Sequence, residues 1–203
     1  MSHKLYLYPK GIRFWHWFNA LIFILLILSG LSLQYSGKEF VLFCFICSVT
    51  MHNITGIAVS VLWLFFVMYN RITRNGIHYQ IERQGYFERL KRQFHYYLIG
   101  IFRGEEKPFP LTEKSKFNPL QQFSYLVVMY FLMPILIISG LMLLFPSLIF
   151  FDFKNITGLQ LTALIHIITA FILSLFFVVH IYLCTIGPTP WSNFRAMITG
   201  YHE

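Results

Sequence analysis

The chain has 203 residues, of which 57% are hydrophobic and only 12% charged, about half the charged share of an ordinary soluble domain. This composition excludes a water-soluble enzyme, and the length leaves room for four or five membrane spans with short loops in a single domain, 1–203. The net charge of +8 does not point to nucleic acid, because the basic residues gather in loops between apolar runs, where they set membrane topology.

In chain order, a polar and basic stretch through Arg13 comes first. The apolar run after it has no small-residue cleavage site, so it reads as a retained helix rather than a signal peptide. The first span is predicted at about 14–35, with aromatic residues at both ends as interface anchors and His16 near its start. A short polar turn, Ser36 to Glu39, leads to a second span at about 40–69 that carries His52. Cys44 and Cys47 form a C-x-x-C, but Ser48 stands where c-type haem attachment requires His. Three cysteines are too few for a disulfide framework, so these two are expected to be helix-packing residues.

The segment 70–119 holds ten of the sixteen Lys and Arg residues. Within it, Phe87, Leu90, Phe94, Tyr97, Leu98 and Ile101 recur at helical spacing opposite Glu88, Arg89, Lys91, Arg92 and His95. This pattern predicts an amphipathic helix in the membrane surface, and a small soluble subdomain is the other reading. A third span follows at about 120–145, without histidine and with Pro134 expected to kink it. Its LIISGLMLLF echoes LLILSGLSLQY of the first span. A fourth span at about 158–186 ends at Gly187, Pro188 and Pro190, and a polar tail closes the chain. Three Lys and Arg residues precede the first span, ten lie in the long segment and one in the tail, against one in each short loop. That bias places both termini and the long segment in the cytoplasm. The predicted fold is an all-α membrane protein, a four-transmembrane-helix bundle with a cytoplasmic interfacial amphipathic helix.

The fourth span poses the chemical question, because His166 and His180 interrupt an otherwise apolar run and an imidazole in hydrocarbon is costly without a partner. Fourteen residues return to nearly the same helix face and separate the two rings by about 21 Å along the axis. Neutral imidazole is a metal ligand, and a bis-histidine haem iron takes one from each side. Depth then sorts the four intramembrane histidines. His16 lies within about 5 Å of the inner boundary and His180 about 9 Å from it, whereas His52 is roughly 18 Å and His166 roughly 12 Å below the outer boundary. Allowing for tilt, His16 can share one iron with His180, and His52 another with His166. Gly30 falls on the face of His16 at the outer level, and Gly56 one turn beyond His52. Either can give a porphyrin clearance or serve helix packing.

Two rival functions use the same residues. A stand-alone transmembrane ferric or ascorbate-linked reductase would also pair histidines. A metal-ion transporter would want intramembrane carboxylates, but Glu39 and Asp152 fall in loops.

With His16, His52, His166 and His180 so arranged, the chain resembles the di-haem cytochrome b membrane subunits of formate dehydrogenase (gamma subunit), thiosulfate reductase and nickel-iron hydrogenase. The resemblance covers nearly the whole length and is strongest from His166 to Gly200, with IYLCTIGPTPWSNFRAMITG, and in KFNPLQQ before the third span. It implies an outer haem b on His52 and His166 and an inner one on His16 and His180. It also implies a quinone site near the inner haem, with Asn118 and Gln121 at the matching positions; the same amides can cap the third span. The family further implies the bacterial inner membrane and a periplasmic iron-sulfur or multihaem subunit that connects to a catalytic subunit.

Overall fold

A computed structural model describes residues 5–37, 42–73, 75–82, 84–110, 112 and 115–202. Among the described residues, four helical stretches are long and apolar enough to cross a membrane. They are α1 (Lys10–Gln34), α2 (Phe45–Ile72), the run Pro119–Leu144, and α6 (Gly158–Cys184). At 25 to 28 residues each they exceed the roughly 20 residues that a hydrocarbon core requires. The predicted spans hold to within a few residues except at the start of the second. There Cys44 caps α2 with extended backbone, and the predicted start at 40 lies outside the described residues, as does half of the predicted turn.

The third span is broken into α4 (Pro119–Val127), a π turn at Val128–Leu132, and α5 (Met133–Leu144). Pro134 explains the break, since it brings no N–H and its ring presses on the preceding turn. The Met133 N–H reaches back to the Val128 carbonyl, which leaves the Met129 carbonyl open. Trp63 Nε1 of α2 donates to that carbonyl at 2.7 Å, so the polar group released by the proline is satisfied inside the bundle.

α1 packs along α2 and α5 along α6, with α2 also meeting α5. Every span contributes to a central apolar layer, formed by Ile22, Val59, Val128, Met133 and Leu173. Most other large apolar side chains of the spans face outward, as expected of helices solvated by lipid tails. Both described ends of the chain lie at one end of the bundle. Strand β1 (Leu5–Tyr6) pairs antiparallel with β2 (Tyr201–His202), and Trp17 Nε1 donates to the Met197 carbonyl at 3.2 Å. The tail is thus more structured than predicted, with α7 (Ser192–Thr199) folded back against the start of α1.

The predicted amphipathic helix forms as α3 (Tyr86–His95), continued by a π turn at Tyr96–Gly100 and a 3-10 turn at Ile101–Arg103. It has three faces rather than two. Tyr86, Gln93, Tyr96 and Gly100 are buried against the bundle, while Phe87, Phe94, Leu98 and Phe102 are exposed on the apolar side. Tyr86 donates to the Pro119 carbonyl at 3.1 Å, tying this helix to the start of the third span.

The reading of Cys44 and Cys47 as helix-packing residues is corrected by the structure. Both are exposed and they are joined by a disulfide, with Cα atoms 5.2 Å apart. Cys44 occupies the cap position and Cys47 the first turn, and positions three apart at a helix start fall on the same side.

Candidate functional site

The four histidines meet in two pairs, as depth predicts. His16 of α1 and His180 of α6 have ring centres 6.1 Å apart. His52 of α2 and His166 of α6 have theirs 6.3 Å apart. An imidazole nitrogen lies about 1.1 Å from its ring centre and bonds a first-row metal at about 2.0 Å, so rings trans across one ion have centres about 6.2 Å apart. Both pairs therefore have the spacing of two axial ligands. Leu173 of the central layer stands seven residues from each α6 histidine, about 10 Å along the axis from either, so an apolar layer separates the pairs.

The His52–His166 pair, the outer one by the expected topology, is held by a feature that occurs twice. Ser29 Oγ lies 2.9 Å from His52 Nδ1, and Ser139 Oγ lies 3.0 Å from His166 Nδ1. Each serine hydroxyl also points at the carbonyl four residues back, Ser29 at Leu25 and Ser139 at Ile135, both at 2.7 Å. A hydroxyl has one proton. With that proton given to the backbone, the serine oxygen must accept from the imidazole, so Nδ1 carries the hydrogen and Nε2 keeps the lone pair that binds a metal.

The residue after each serine is a glycine that clears room for the same ring. A Cβ on Gly30 would stand 3.4 Å from His52 Cε1, and one on Gly140 would stand 3.1 Å from His166 Cε1. Gly30 thus accommodates an imidazole directly, a different service from the porphyrin clearance considered for it. At Gly56 a Cβ would meet nothing within 4 Å, which leaves open space beside the outer pair. Ser29, Ser139 and Gly140 do not stand out as site residues in the sequence by themselves. The repeated Ser-Gly in LILSGL and LIISGL is the signal that could have found them.

The inner pair is held differently. Phe176 stacks on His180, with ring centres 6.0 Å apart, and Tyr125 meets it edge-on at 6.2 Å. Among the described residues, the polar contact of His180 is a 3.8 Å approach of Nε2 to Cys184 Sγ, and His16 Nδ1 is buried with no hydrogen-bond partner. One turn before His16, Arg13 Nε is also buried and has no partner among the described residues, beside an apolar cleft of about 350 Å³ whose walls include Trp17, Leu21 and Met197. The site fits a haem: two pairs of buried imidazoles with ring centres 6.1 and 6.3 Å apart, and a guanidinium one turn before His16 on the wall of an apolar cleft, where a carboxylate could meet it.

Asn118 and Gln121 adopt the capping arrangement in full. Asn118 Oδ1 accepts from the Gln121 N–H at 2.9 Å, and Gln121 Oε1 accepts from the Asn118 N–H at 3.1 Å, a reciprocal box at the start of α4. Asn118 Nδ2 donates one of its two hydrogens to Tyr97 Oη at 2.9 Å, which fixes the orientation of its amide. Burial holds the Tyr97 phenol above its ordinary value, against the pull of this hydrogen bond. The Gln121 amide nitrogen has no partner among the described residues, and Gln121 lies one turn before Tyr125, the residue in contact with His180.

Two comparisons with known proteins place the chain in a family. The Escherichia coli (strain K12) protein named as cytochrome YdhU is 45% identical over 205 residues, an alignment covering all of this chain and 76% of that protein. Residues 7–200 match the family described as prokaryotic cytochrome b561. The chain therefore belongs to the prokaryotic cytochrome b561 family, membrane-embedded haem b proteins of electron transfer.

Proposed function

We propose that this chain is the membrane-anchoring subunit of an oxidoreductase complex, a di-haem cytochrome b of the kind found with formate dehydrogenase, thiosulfate reductase and nickel-iron hydrogenase. It carries electrons across the bacterial inner membrane between a periplasmic iron-sulfur or multihaem subunit and the quinone pool. The observation that carries this reading is the stacking of two histidine pairs at 6.1 and 6.3 Å, one toward each end of the bundle. Haem b bound at each level would take up and release one electron at a time.

The chain's own residues set where that happens. His52 and His166 hold the level at the end of the bundle away from the chain termini, and His16 and His180 the level near them. The lipid-facing apolar surface keeps water and ions from both, and the Leu173 layer keeps them apart. The charge bias supports a cytoplasmic side for the termini, the inner pair and the 75–117 segment. Gln121 is the donor best placed for a quinone carbonyl, since its oxygen maintains the cap while its amide nitrogen is available. Tyr97 stands beside Asn118 as a hydroxyl at the same level.

The deciding experiment is purification of the complex from native membranes. Co-purification of an iron-sulfur or multihaem subunit with a chain containing two b haems is the expected result. A haem-loaded chain that isolates alone and reduces ferric chelates or takes electrons from ascorbate would instead establish a stand-alone reductase.

A further inference from the structure

The two histidine pairs differ in one respect that bears directly on redox chemistry. Both outer ligands donate Nδ1–H to an oxygen, Ser29 Oγ at 2.9 Å and Ser139 Oγ at 3.0 Å. Each of these oxygens is fixed by its own bond to a helix carbonyl. A second helix carbonyl also lies near each serine hydroxyl, Leu26 at 3.2 Å from Ser29 Oγ and Leu136 at 3.1 Å from Ser139 Oγ. Among the described residues the inner ligands show no such acceptor: His16 Nδ1 is buried and unpartnered, and the polar contact seen for His180 is the 3.8 Å approach of Nε2 to Cys184 Sγ.

An imidazole whose distal N–H is drawn toward an oxygen becomes more basic at its other nitrogen, and a more basic axial ligand stabilises ferric over ferrous iron. We infer that Ser29 and Ser139 are positioning residues that hold the outer haem at a lower midpoint potential than the inner haem. The bundle then favours electron flow from the outer side inward, toward quinone reduction. The inference rests on the di-haem reading above and adds direction to it. An electron moving inward works against a membrane potential that is negative inside, and a downhill step between the pairs offsets that work. It also defines the class of partner, one that oxidises its substrate and delivers electrons from outside.

The arrangement is a design feature of the helices rather than of one contact. Ser-Gly occurs at 29–30 on α1 and at 139–140 on α5. In each case the serine takes the ring nitrogen and the glycine leaves room for the adjacent ring carbon. Two unrelated packing accidents would not place the same dipeptide on the same edge of two ligands of one iron.

The test is a spectroscopic redox titration of the purified, haem-loaded chain, with each component assigned from the His16→Ala and His52→Ala variants. In wild type the outer component should be the lower of two. In the Ser29→Ala/Ser139→Ala variant it should rise by about tenfold in the reduction equilibrium, or about 59 mV for one electron, with the inner component unmoved. Ser29→Thr and Ser139→Thr, which keep the hydroxyl, should restore the wild-type value. Should the double variant fail to fold, the single Ser→Ala variants should each give part of the shift. An outer component that is already the higher in wild type, or that stays fixed in the Ser→Ala variants, overturns the inference while leaving the di-haem reading intact. A single component in wild type likewise overturns the inference, and a haem content of one per chain overturns the di-haem reading itself.

Discussion

His16 and His180 meet across α1 and α6 with ring centres 6.1 Å apart, although 164 positions separate them in the chain. The pair is closed at its own level, with the buried layer of Ile22, Val59 and Leu173 between it and His52 with His166. Each level should therefore bind its group independently. Haem extraction from pure protein should give two per chain. His52→Ala should remove the outer low-spin signal and spare the inner one, and His16→Ala should do the reverse. Loss of both signals from either folded variant would contradict independent levels.

The glycines next to the serines grade a second expectation. A methyl at Gly140 would stand 3.1 Å from His166 Cε1, tighter than the 3.4 Å at Gly30 from His52 Cε1. Forcing extra atoms into a packed site costs about 1–3 kcal/mol. Gly140→Ala should thus lower outer-haem retention about five- to hundredfold in a haem-competition assay, and Gly30→Ala should do so less. Gly56→Ala meets no protein atom within 4 Å, so a loss of outer haem in that variant would mean that the porphyrin itself fills the open space there.

Much of this is legible in the sequence, for physical reasons that also mark where legibility ends. Four spans follow from apolar length, and the pairing of His16 with His180 follows from rise per residue and alternating direction, because helices impose a fixed ruler. The capping of α4 by Asn118 and Gln121 is local and readable at three-residue spacing. The serine contacts are not, because Ser29 reaches His52 and Ser139 reaches His166 across helix interfaces whose rotation the sequence does not state. The disulfide escapes a reading that puts Cys44 inside a helix, because that helix in fact starts after it, at Phe45.

That disulfide offers an independent check on topology. Cys44 and Cys47 are bonded and exposed at the end of α2 opposite the chain termini, and such bonds persist in oxidising compartments, outside the cytoplasm. In intact spheroplasts an impermeant maleimide should label neither cysteine until a membrane-impermeant reductant is added, and should then label both. Labelling that requires permeabilised membranes would invert the orientation read from the basic residues.

The last expectation concerns the quinone site, where the capping box changes which substitution is informative. Asn118 spends both ends of its amide, on the Gln121 N–H and on Tyr97, so Asn118→Ala removes a helix cap worth about 1 kcal/mol and confounds binding with folding. Gln121 divides its two roles between its two atoms: Oε1 accepts from the Asn118 N–H, and Nε2 is left as a donor. Gln121→Glu keeps an acceptor for the cap, since Glu serves equally at that position of a capping box, and replaces the donor by a carboxylate whose charge the helix N-terminus favours. Removing one donor from a buried contact costs about 1–3 kcal/mol, so the affinity for a quinone-site inhibitor should fall about five- to hundredfold. The thermal midpoint and both haem spectra should stay at their wild-type values, and reduction of the haems by an artificial donor from the outer side should continue. Inhibitor affinity equal to wild type in Gln121→Glu would move the quinone away from α4, toward the aromatic residues Tyr125 and Phe176 that contact His180.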